Sequence, residues 1–250
     1  MYYFVSAMTE TNSNKNLFVL FAKEVYKEVL AGNFGAIKNI KYYKKWKDSQ
    51  EPGKNAISDE QPWISFPVID FLEKQVNRDS IIFEYGGGGS TFFFINRAKE
   101  VVTVEHHEGW FEKLQEKMKN KGNTNWSGNL ILPEKHPVHL DLDPAEPSHY
   151  YTNEEPYIDS TFKKYATYID RFPDKYFDIV LVDGRSRPSC IWHSMKKIKT
   201  HGFLIVDNIN RKHYFTQLEK LKEQFEVLHQ QKAAGPYALY FTKTGVWQKT

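Results

Sequence analysis

Four consecutive glycines, Gly86 to Gly89, follow an apolar run in the stretch FEYGGGGST, residues 83–91. The apolar Ile81, Ile82 and Phe83 predict a short buried strand that ends at the glycines. Glycine adopts backbone angles that other residues avoid, and it leaves room for a close neighbour. The stretch therefore predicts a strand-to-helix turn that another group approaches closely.

Apolar runs of strand length alternate with helical patterns from residue 63 onward. Strands are predicted at 80–83, 101–105, 177–184 and 202–208, and helices at 66–76, 91–99 and 110–119. Apolar strands that alternate with helices are typical of a parallel sheet covered on both faces. We therefore predict an α/β fold with a doubly wound, mostly parallel sheet.

The remaining segments predict the domain organisation. FEVLHQ and YALYFTK, residues 225–230 and 237–243, flank a loop with Gly235 and Pro236 and predict an antiparallel C-terminal edge hairpin. VHLDL, residues 138–142, predicts a third strand, and the rest of 120–174 has the length of a substrate lid. Residues 1–60 are predicted to form an N-terminal helical extension and linker, and residues 61–250 the main domain.

Composition limits the classes of partner and compartment. The net charge is +3, from 34 basic and 31 acidic residues, so a nucleic-acid partner is not expected. The single Cys190 excludes an internal disulfide and fits a reducing compartment. The start lacks the pattern of a secretory signal, and no nearby apolar run reaches a membrane-spanning length. We expect a cytoplasmic protein, and the sequence leaves its oligomeric state open, a homodimer included.

The glycine turn has the features of a nucleoside site. Ligands of open parallel sheets bind beyond the carboxyl ends of the strands, next to the first strand-to-helix turn. Gly86 and Gly88 leave room there, and Ser90 or Thr91 can cap the helix. Glu105 ends the next predicted strand, where a carboxylate can accept both hydroxyls of a ribose.

Two kinds of nucleoside ligand are compatible with this pattern. Gly86-x-Gly88-x-x-Thr91 approximates the dinucleotide fingerprint, with Glu105 about 20 residues on. Thr91 replaces the last glycine of that fingerprint, however, and Glu84 stands two positions before the first one. A carboxylate there repels a pyrophosphate and attracts an ammonium group. The pattern therefore favours a ligand that carries a cation.

FEYGGGGST, followed by VVTVEHH, FDIVLVDG and GFLIVDN, resembles the class I S-adenosylmethionine-dependent methyltransferases, which have a Rossmann-like fold. QPWISFPVIDFL further resembles a segment of bacterial sugar-modifying methyltransferases. The resemblance implies methylation of oxygen on a small-molecule or saccharide acceptor. It places Glu84 and Gly86 to Gly88 at the methionine end of the cofactor, and Glu105 at the ribose. The full set of predicted cofactor-binding residues is Glu84, Tyr85, Gly86, Gly87, Gly88, Ser90, Glu105, His106 and Asp183.

Acidic residues follow the two later predicted strands. Asp183 and Asp207 are the predicted catalytic residues, and with Asn208 they resemble the Mg²⁺ ligands of catechol-type O-methyltransferases. Alternatively, Asp183 caps the following helix, and Asp207 and Asn208 only form a turn. Arg185 and Arg187 are predicted to hold an anionic acceptor, and Trp63 to contact it.

Two other functions use the same turn. The first is a nicotinamide (NAD)-dependent oxidoreductase or epimerase, although YATYIDRF lacks a lysine at the offset that such an enzyme needs after Tyr165 or Tyr168. The second is a non-catalytic nucleoside-binding module, in which the sheet is an interaction scaffold.

Overall fold

The computed structural model describes residues 17–136 and 141–250. Its main sheet contains seven strands: β1 (Ile81–Tyr85), β2 (Glu100–Glu105), β3 (Trp126–Leu130), β4 (Phe177–Val182), β5 (Ile198–Val206), β6 (Phe225–His229) and β7 (Gly245–Lys249). Their order across the sheet is β3-β2-β1-β4-β5-β7-β6. The first five strands in this order, β3, β2, β1, β4 and β5, are parallel to one another, whereas β7 is antiparallel to both β5 and β6. The strand order reverses between β1 and β4, which is where ligands bind in such sheets.

Helices cover both faces of this sheet. They are α1 (Leu17–Leu30), α2 (Tyr43–Asp48), α3 (Ala56–Asp59), α4 (Phe66–Gln75), α5 (Gly89–Ile95), α6 (Glu108–Lys121), α7 (Lys163–Ala166), α8 (Arg187–Lys197) and α9 (Glu219–Gln224). Short 3₁₀ helices lie at Phe34–Tyr42, Pro147–His149, Thr167–Arg171 and Lys212–Phe215. Two small antiparallel ribbons pair Glu134–Lys135 with Ser160–Thr161 and Lys232–Ala233 with Thr242–Lys243. The predicted doubly wound α/β fold is confirmed.

The two faces of the sheet build two separate cores, because successive side chains of a strand point to opposite sides. On β1, Ile82 packs into a core with α4, α5 and α6, and Glu84 lies on that same face. Phe83 and Tyr85 pack into the other core, with α7 and α8. This alternation decides which residues near the turn meet a ligand and which are internal.

The C-terminal edge hairpin is present, but its second arm lies later than the sequence pattern indicates. The arm is β7 rather than residues 237–243. The aromatic residues of the earlier segment pack against the N-terminal part instead: the Phe241 ring lies 5.3 Å from the Phe21 ring, and Trp46 Nε1 donates to the Ala238 carbonyl at 2.7 Å. Packing with the N-terminal segment thus overrides the strand propensity of YALYFTK.

The third strand is also placed differently. It is β3, which contains Ser127, Gly128 and Asn129. These residues interrupt the apolar pattern, so hydrophobic periodicity does not predict the strand. Residues 138–140 of VHLDL lie outside the described residues, and the two residues that follow are not in a strand.

The N-terminal segment packs closely against the domain. In its basic and aromatic run, Tyr42 and Trp46 are buried, whereas Lys41 and Lys45 face Asp70 with nitrogen–oxygen distances of 3.6 Å each. The division of the chain near residue 60 stays a prediction. Within residues 17–136 and 141–250, no helix is long and apolar enough to cross a membrane.

Candidate active site

The glycines of the turn after β1 differ in how much space surrounds them. Gly86 has a φ of +89°, and a Cβ on it would lie 3.0 Å from the backbone nitrogen of Gly184. A Cβ on Gly89 would overlap the carbonyl oxygens of Ala56 and Gln61, so this glycine lets α5 pack against the N-terminal segment. At Gly88, by contrast, the nearest atom to an added Cβ is 4.0 Å away. Gly88 is therefore the position with room for a ligand.

Glu84 lies beneath the turn and is fully buried. Its carboxylate accepts hydrogen bonds from the hydroxyls of Ser90, Thr91 (2.6 Å) and Thr103 (3.1 Å). Burial and, to a smaller extent, the charge of Glu105 raise the pKa of Glu84 to about 7, against the lowering effect of these donors. Both oxygens of Glu84 face protein hydroxyls, one of them that of Ser90, and the contacts that the sequence predicts for Glu84 and Ser90 with the cofactor stay predictions.

Tyr85 packs into the core on the second face of the sheet, because side chains alternate along β1. Its ring lies 4.7 Å from that of Phe83 and 5.4 Å from that of Tyr165, and its hydroxyl donates to the Ala166 carbonyl at 2.6 Å. The contact that the sequence predicts between Tyr85 and the cofactor stays a prediction.

Glu105 joins the end of β2 to the glycine turn. Its carboxylate accepts from the backbone N–H of Gly87 at 2.9 Å and from those of His106 and His107 at 2.8 Å each. Burial by itself raises the pKa of Glu105, but the hydrogen bonds and charge of His106 and the backbone N–H groups hold it below its ordinary value. Glu105 is therefore ionised beside the turn, as the sequence analysis requires of a ribose-binding carboxylate.

Aromatic rings surround the side chain of His106. The rings of Tyr157, Phe162 and Tyr165 lie 5.3, 5.7 and 5.8 Å from its imidazole. Tyr165 packs so close to Gly184 that a Cβ there would overlap its hydroxyl. Among the described residues, that buried hydroxyl has no hydrogen-bond partner. A buried hydroxyl without a partner is costly, so this position favours a ligand or water that accepts from it.

The strand-end aspartates are held by one buried arginine. Arg187 donates from Nη2 to Asp183 Oδ1 at 3.0 Å, from Nε to the Gly184 carbonyl at 3.0 Å, and from Nη1 to the Asp207 carbonyl. All its nitrogens thus bind protein acceptors, and its side chain is only 4% exposed. Arg187 joins the ends of β4 and β5, and its predicted role in holding the acceptor stays a prediction.

The two aspartates differ in their exposure and in how many of their carboxylate oxygens accept hydrogen bonds. Asp207 is buried and accepts from Thr244 Oγ1 at 2.6 Å and from Asn208 Nδ2 at 2.5 Å. The Asp183 side chain is 29% exposed, and Arg187 contacts one of its oxygens. Burial and the negative charge of Asp207 raise the pKa of Asp183 above its ordinary range, against the effect of Arg187. Asp183 is therefore the carboxylate of the pair that can reach a ligand.

The predicted magnesium ligands do not fit a metal ion. Asp207 uses both oxygens for hydrogen bonds, one of them to the amide of Asn208 itself, and Asp183 is paired with a guanidinium. No group of three or more histidine, cysteine, aspartate or glutamate residues in the described part of the chain is placed to hold a metal. The turn formed by Asn208, whose φ is +56°, agrees with the alternative structural role.

A cleft beside these aspartates brings in residues from the long segment before β4. Its lining includes Thr152, Glu154, Arg185, His213 and Tyr214. Arg185 is present as predicted, whereas Glu154 and Arg211, which pairs with it, carry no signal in the sequence pattern. Trp63 is partly exposed and packs edge-on against Tyr237, with ring centroids 6.0 Å apart. Its contact with the acceptor stays a prediction.

The strand order and the glycine turn define the class of fold. A seven-stranded sheet in this order, with β7 antiparallel and a glycine-rich turn after β1, is the Rossmann-like fold of class I methyltransferases. No protein-family model and no curated protein matches the sequence.

Three of the solved structures to which this chain is similar are described by the names that they carry. A putative methyltransferase from Streptococcus mutans in complex with SAH has a TM-score of 0.49 and 14% identity, over 74% of this chain and 96% of its own. An rRNA methylase from Streptococcus thermophilus has a TM-score of 0.48 and 14% identity, over 73% and 94%. A methyltransferase-like protein from Silicibacter pomeroyi has a TM-score of 0.47 and 18% identity, over 76% and 89%.

Proposed function

We propose that the protein is an S-adenosylmethionine-dependent methyltransferase that methylates an oxygen of a small acceptor, such as a sugar or a glycan precursor. The observation that carries this proposal is the pairing of the open Gly88 with the ionised Glu105 at neighbouring strand ends. Gly88 leaves space for a ligand at the turn. Glu105 is almost fully buried, but among the described residues its Oε2 accepts only from Gly87 and keeps a lone pair for a ribose hydroxyl.

The chain's own residues fit this cofactor at three points. Gly86 and Gly88 would hold the methionine end at the turn, and Glu105 would accept from the ribose hydroxyls. His106 and the unpartnered hydroxyl of Tyr165 lie next to Glu105 and border the nucleoside. Bound S-adenosylmethionine supplies an electrophilic methyl group on a sulfonium ion, so the protein has to align the acceptor and remove its proton.

Asp183 is the residue that we assign to proton removal. It lies at the carboxyl end of β4, is partly exposed, and has a raised pKa that makes its carboxylate a stronger base. Asp207 stays buried behind it as a positioning residue, held by Thr244 and Asn208. Transfer is expected to increase with pH through the raised pKa of Asp183, because only the ionised carboxylate accepts a proton.

The structure changes the argument against a dinucleotide. Glu84 is buried below the turn, and its raised pKa leaves the carboxyl partly protonated near neutral pH, which weakens its repulsion of a pyrophosphate. The choice between S-adenosylmethionine and NAD⁺ therefore depends on direct binding. Calorimetric titration with S-adenosylhomocysteine and, separately, with NAD⁺ makes that choice.

A matched pair of variants places the ligand. Glu105→Gln is expected to weaken S-adenosylhomocysteine binding on the order of tenfold, about 1.4 kcal/mol, because it removes the charge that the ribose hydroxyls contact. Glu108→Gln, an exposed neighbour at the start of α6, is the control and is expected to bind like the wild type. Binding of NAD⁺ alone, or equal affinity in both variants, contradicts the proposal.

Turnover is measured with radiolabelled S-adenosylmethionine and a panel of acceptors. Neutral sugars, uronates and sugar phosphates test the proposed class. Two similar structures are by name an rRNA methylase and a tRNA methyltransferase, so the expectation against a nucleic-acid partner has no support from them and the panel includes RNA. Cofactor binding without transfer to any acceptor favours a non-catalytic nucleoside-binding module.

A further inference from the structure

Two arginines from different strand ends converge on a single carboxylate. Arg185 follows β4 and Arg211 follows β5. The Nη1 atom of Arg185 lies 3.2 Å from Glu154 Oε2, and Arg211 Nη1 contacts Glu154 Oε1. Each oxygen of Glu154 is thus taken by a separate guanidinium. The carboxylate itself belongs to neither strand end, since it comes from the segment between β3 and β4.

Arg185 and Arg211 differ from Arg187, whose nitrogens all donate to protein acceptors. Arg185 is only 11% exposed at its side chain, yet its buried Nε has no hydrogen-bond partner within the described part of the chain. Arg211 lies at the rim of the site, with its side chain 27% exposed, and Nη1 also donates to the hydroxyl of Tyr214 at 2.7 Å. Guanidinium groups carry five donors each, so this pair retains capacity that Glu154 does not use.

The position of the pair matches that of an acceptor. Arg185 is two residues after Asp183, and both Arg185 and Glu154 line the cleft beside the strand ends. The segment that carries Glu154 also reaches the end of β2, where the nucleoside is proposed to bind. Its Tyr157 packs against both His106 and Arg185. Segment 150–162 therefore spans from the nucleoside side to the cleft, with Glu154 as its contact to both arginines.

We propose that Arg185 and Arg211 bind an oxyanion of the acceptor, a carboxylate or a phosphate, and that Glu154 occupies this site when segment 150–162 is closed. The inference rests on the proposed function, which makes the cleft the acceptor site. Carboxylates and phosphates offer paired oxygens that match guanidinium forks, and the Glu154 carboxylate has the same chemistry. An anionic acceptor then displaces Glu154, so acceptor binding and movement of the segment are linked.

Calorimetric titration with inorganic phosphate and with D-glucuronate tests the proposal. Glu154→Gln removes the internal competitor and is expected to bind at least one of the two probes on the order of tenfold more tightly than the wild type. Glu155→Gln changes the adjacent, exposed carboxylate and is expected to bind like the wild type. The double variant Glu154→Gln/Arg211→Gln is expected to lose the gain. The tighter probe identifies the anion as phosphate or carboxylate.

Equal affinity of the wild type and Glu154→Gln for both probes overturns the proposal, as does a gain that persists in the double variant. Thermal unfolding of each variant shows that it is folded, and S-adenosylhomocysteine is titrated into the same samples. Cofactor binding without any gain for the probes refutes the anion site alone. A gain without cofactor binding supports the anion site and refutes the proposed function.

Discussion

Replacing Glu84 with glutamine is expected to stabilise the protein increasingly as the pH rises through the neutral range. Glu84 is fully buried, and its pKa is about 7 in the folded protein against an ordinary value of 4.5. A carboxyl group whose pKa is raised by folding contributes stability below its unfolded pKa, and this contribution is lost as the pH rises through the folded pKa. Glutamine resembles the protonated form and has no charge to bury.

The size of the effect follows from the two pKa values of Glu84. Each pKa unit between folded and unfolded protein corresponds to about 1.4 kcal/mol of unfolding free energy, so the difference amounts to about 3 kcal/mol. At about pH 5 the variant is expected to be near the wild type or less stable by about 1 kcal/mol, because the three hydroxyl donors meet one oxygen fewer. Near pH 8.5 the stability of the variant, measured relative to the wild type, is expected to be about 3 kcal/mol higher than it is at about pH 5.

Urea unfolding of both proteins at a series of pH values measures this difference. Glu105→Gln is the matched control, because Glu105 is also buried but has a lowered pKa. Its stabilising contribution is present above the unfolded pKa and is lost as the pH falls through the folded one, so its curve has the opposite sign. A constant difference between wild type and Glu84→Gln across the series refutes the reasoning.

Four further substitutions test the site. Gly89→Ala should destabilise the protein by about 3 kcal/mol in urea unfolding, since its Cβ overlaps backbone carbonyls, whereas Gly88→Ala should keep the stability and weaken S-adenosylhomocysteine binding in calorimetry. Arg187→Met should cost about 3–5 kcal/mol near pH 8, because it removes the buried cation that binds the carboxylate of Asp183 and the carbonyl of Asp207; unchanged urea unfolding contradicts this. Asp183→Asn should abolish methyl transfer while S-adenosylhomocysteine still binds, and transfer rates that match the wild type at every pH rule it out as the base.

The sheet was predictable because its central strands are continuous apolar runs between helical patterns. Strands β1, β2, β4 and β5 fall within a few residues of the predicted ones. The parts that differ are those where tertiary contacts decide: β3 is polar at Ser127 and Asn129, and residues 237–241 pack against α1 and α2 instead of entering the sheet. Periodicity contains no information about such long-range partners.

The candidate site was predictable as a location but not as a set of side chains. The glycines and Glu105 are at the turn, as expected from the strand-to-helix pattern. Glu84 and Tyr85 are both buried, and their burial was not predictable, because the alternation along a strand does not say which face remains open to a ligand. Arg211 and Glu154 lie far apart in the chain, and only the fold brings them together.

The contacts of Arg187 explain why the two strand-end aspartates differ in their hydrogen bonds. One guanidinium sits between the ends of β4 and β5, and it contacts the side chain of Asp183 but only the carbonyl of Asp207. Asp207 takes its hydrogen bonds from Thr244 and Asn208, and Thr244 in turn accepts from the backbone N–H of Ser65 at 3.1 Å. Asp207 is thereby tied to the segment before α4, which fixes its position and leaves it no free oxygen. Asp183 keeps one oxygen outside this network, which is why we propose Asp183 rather than Asp207 as the base.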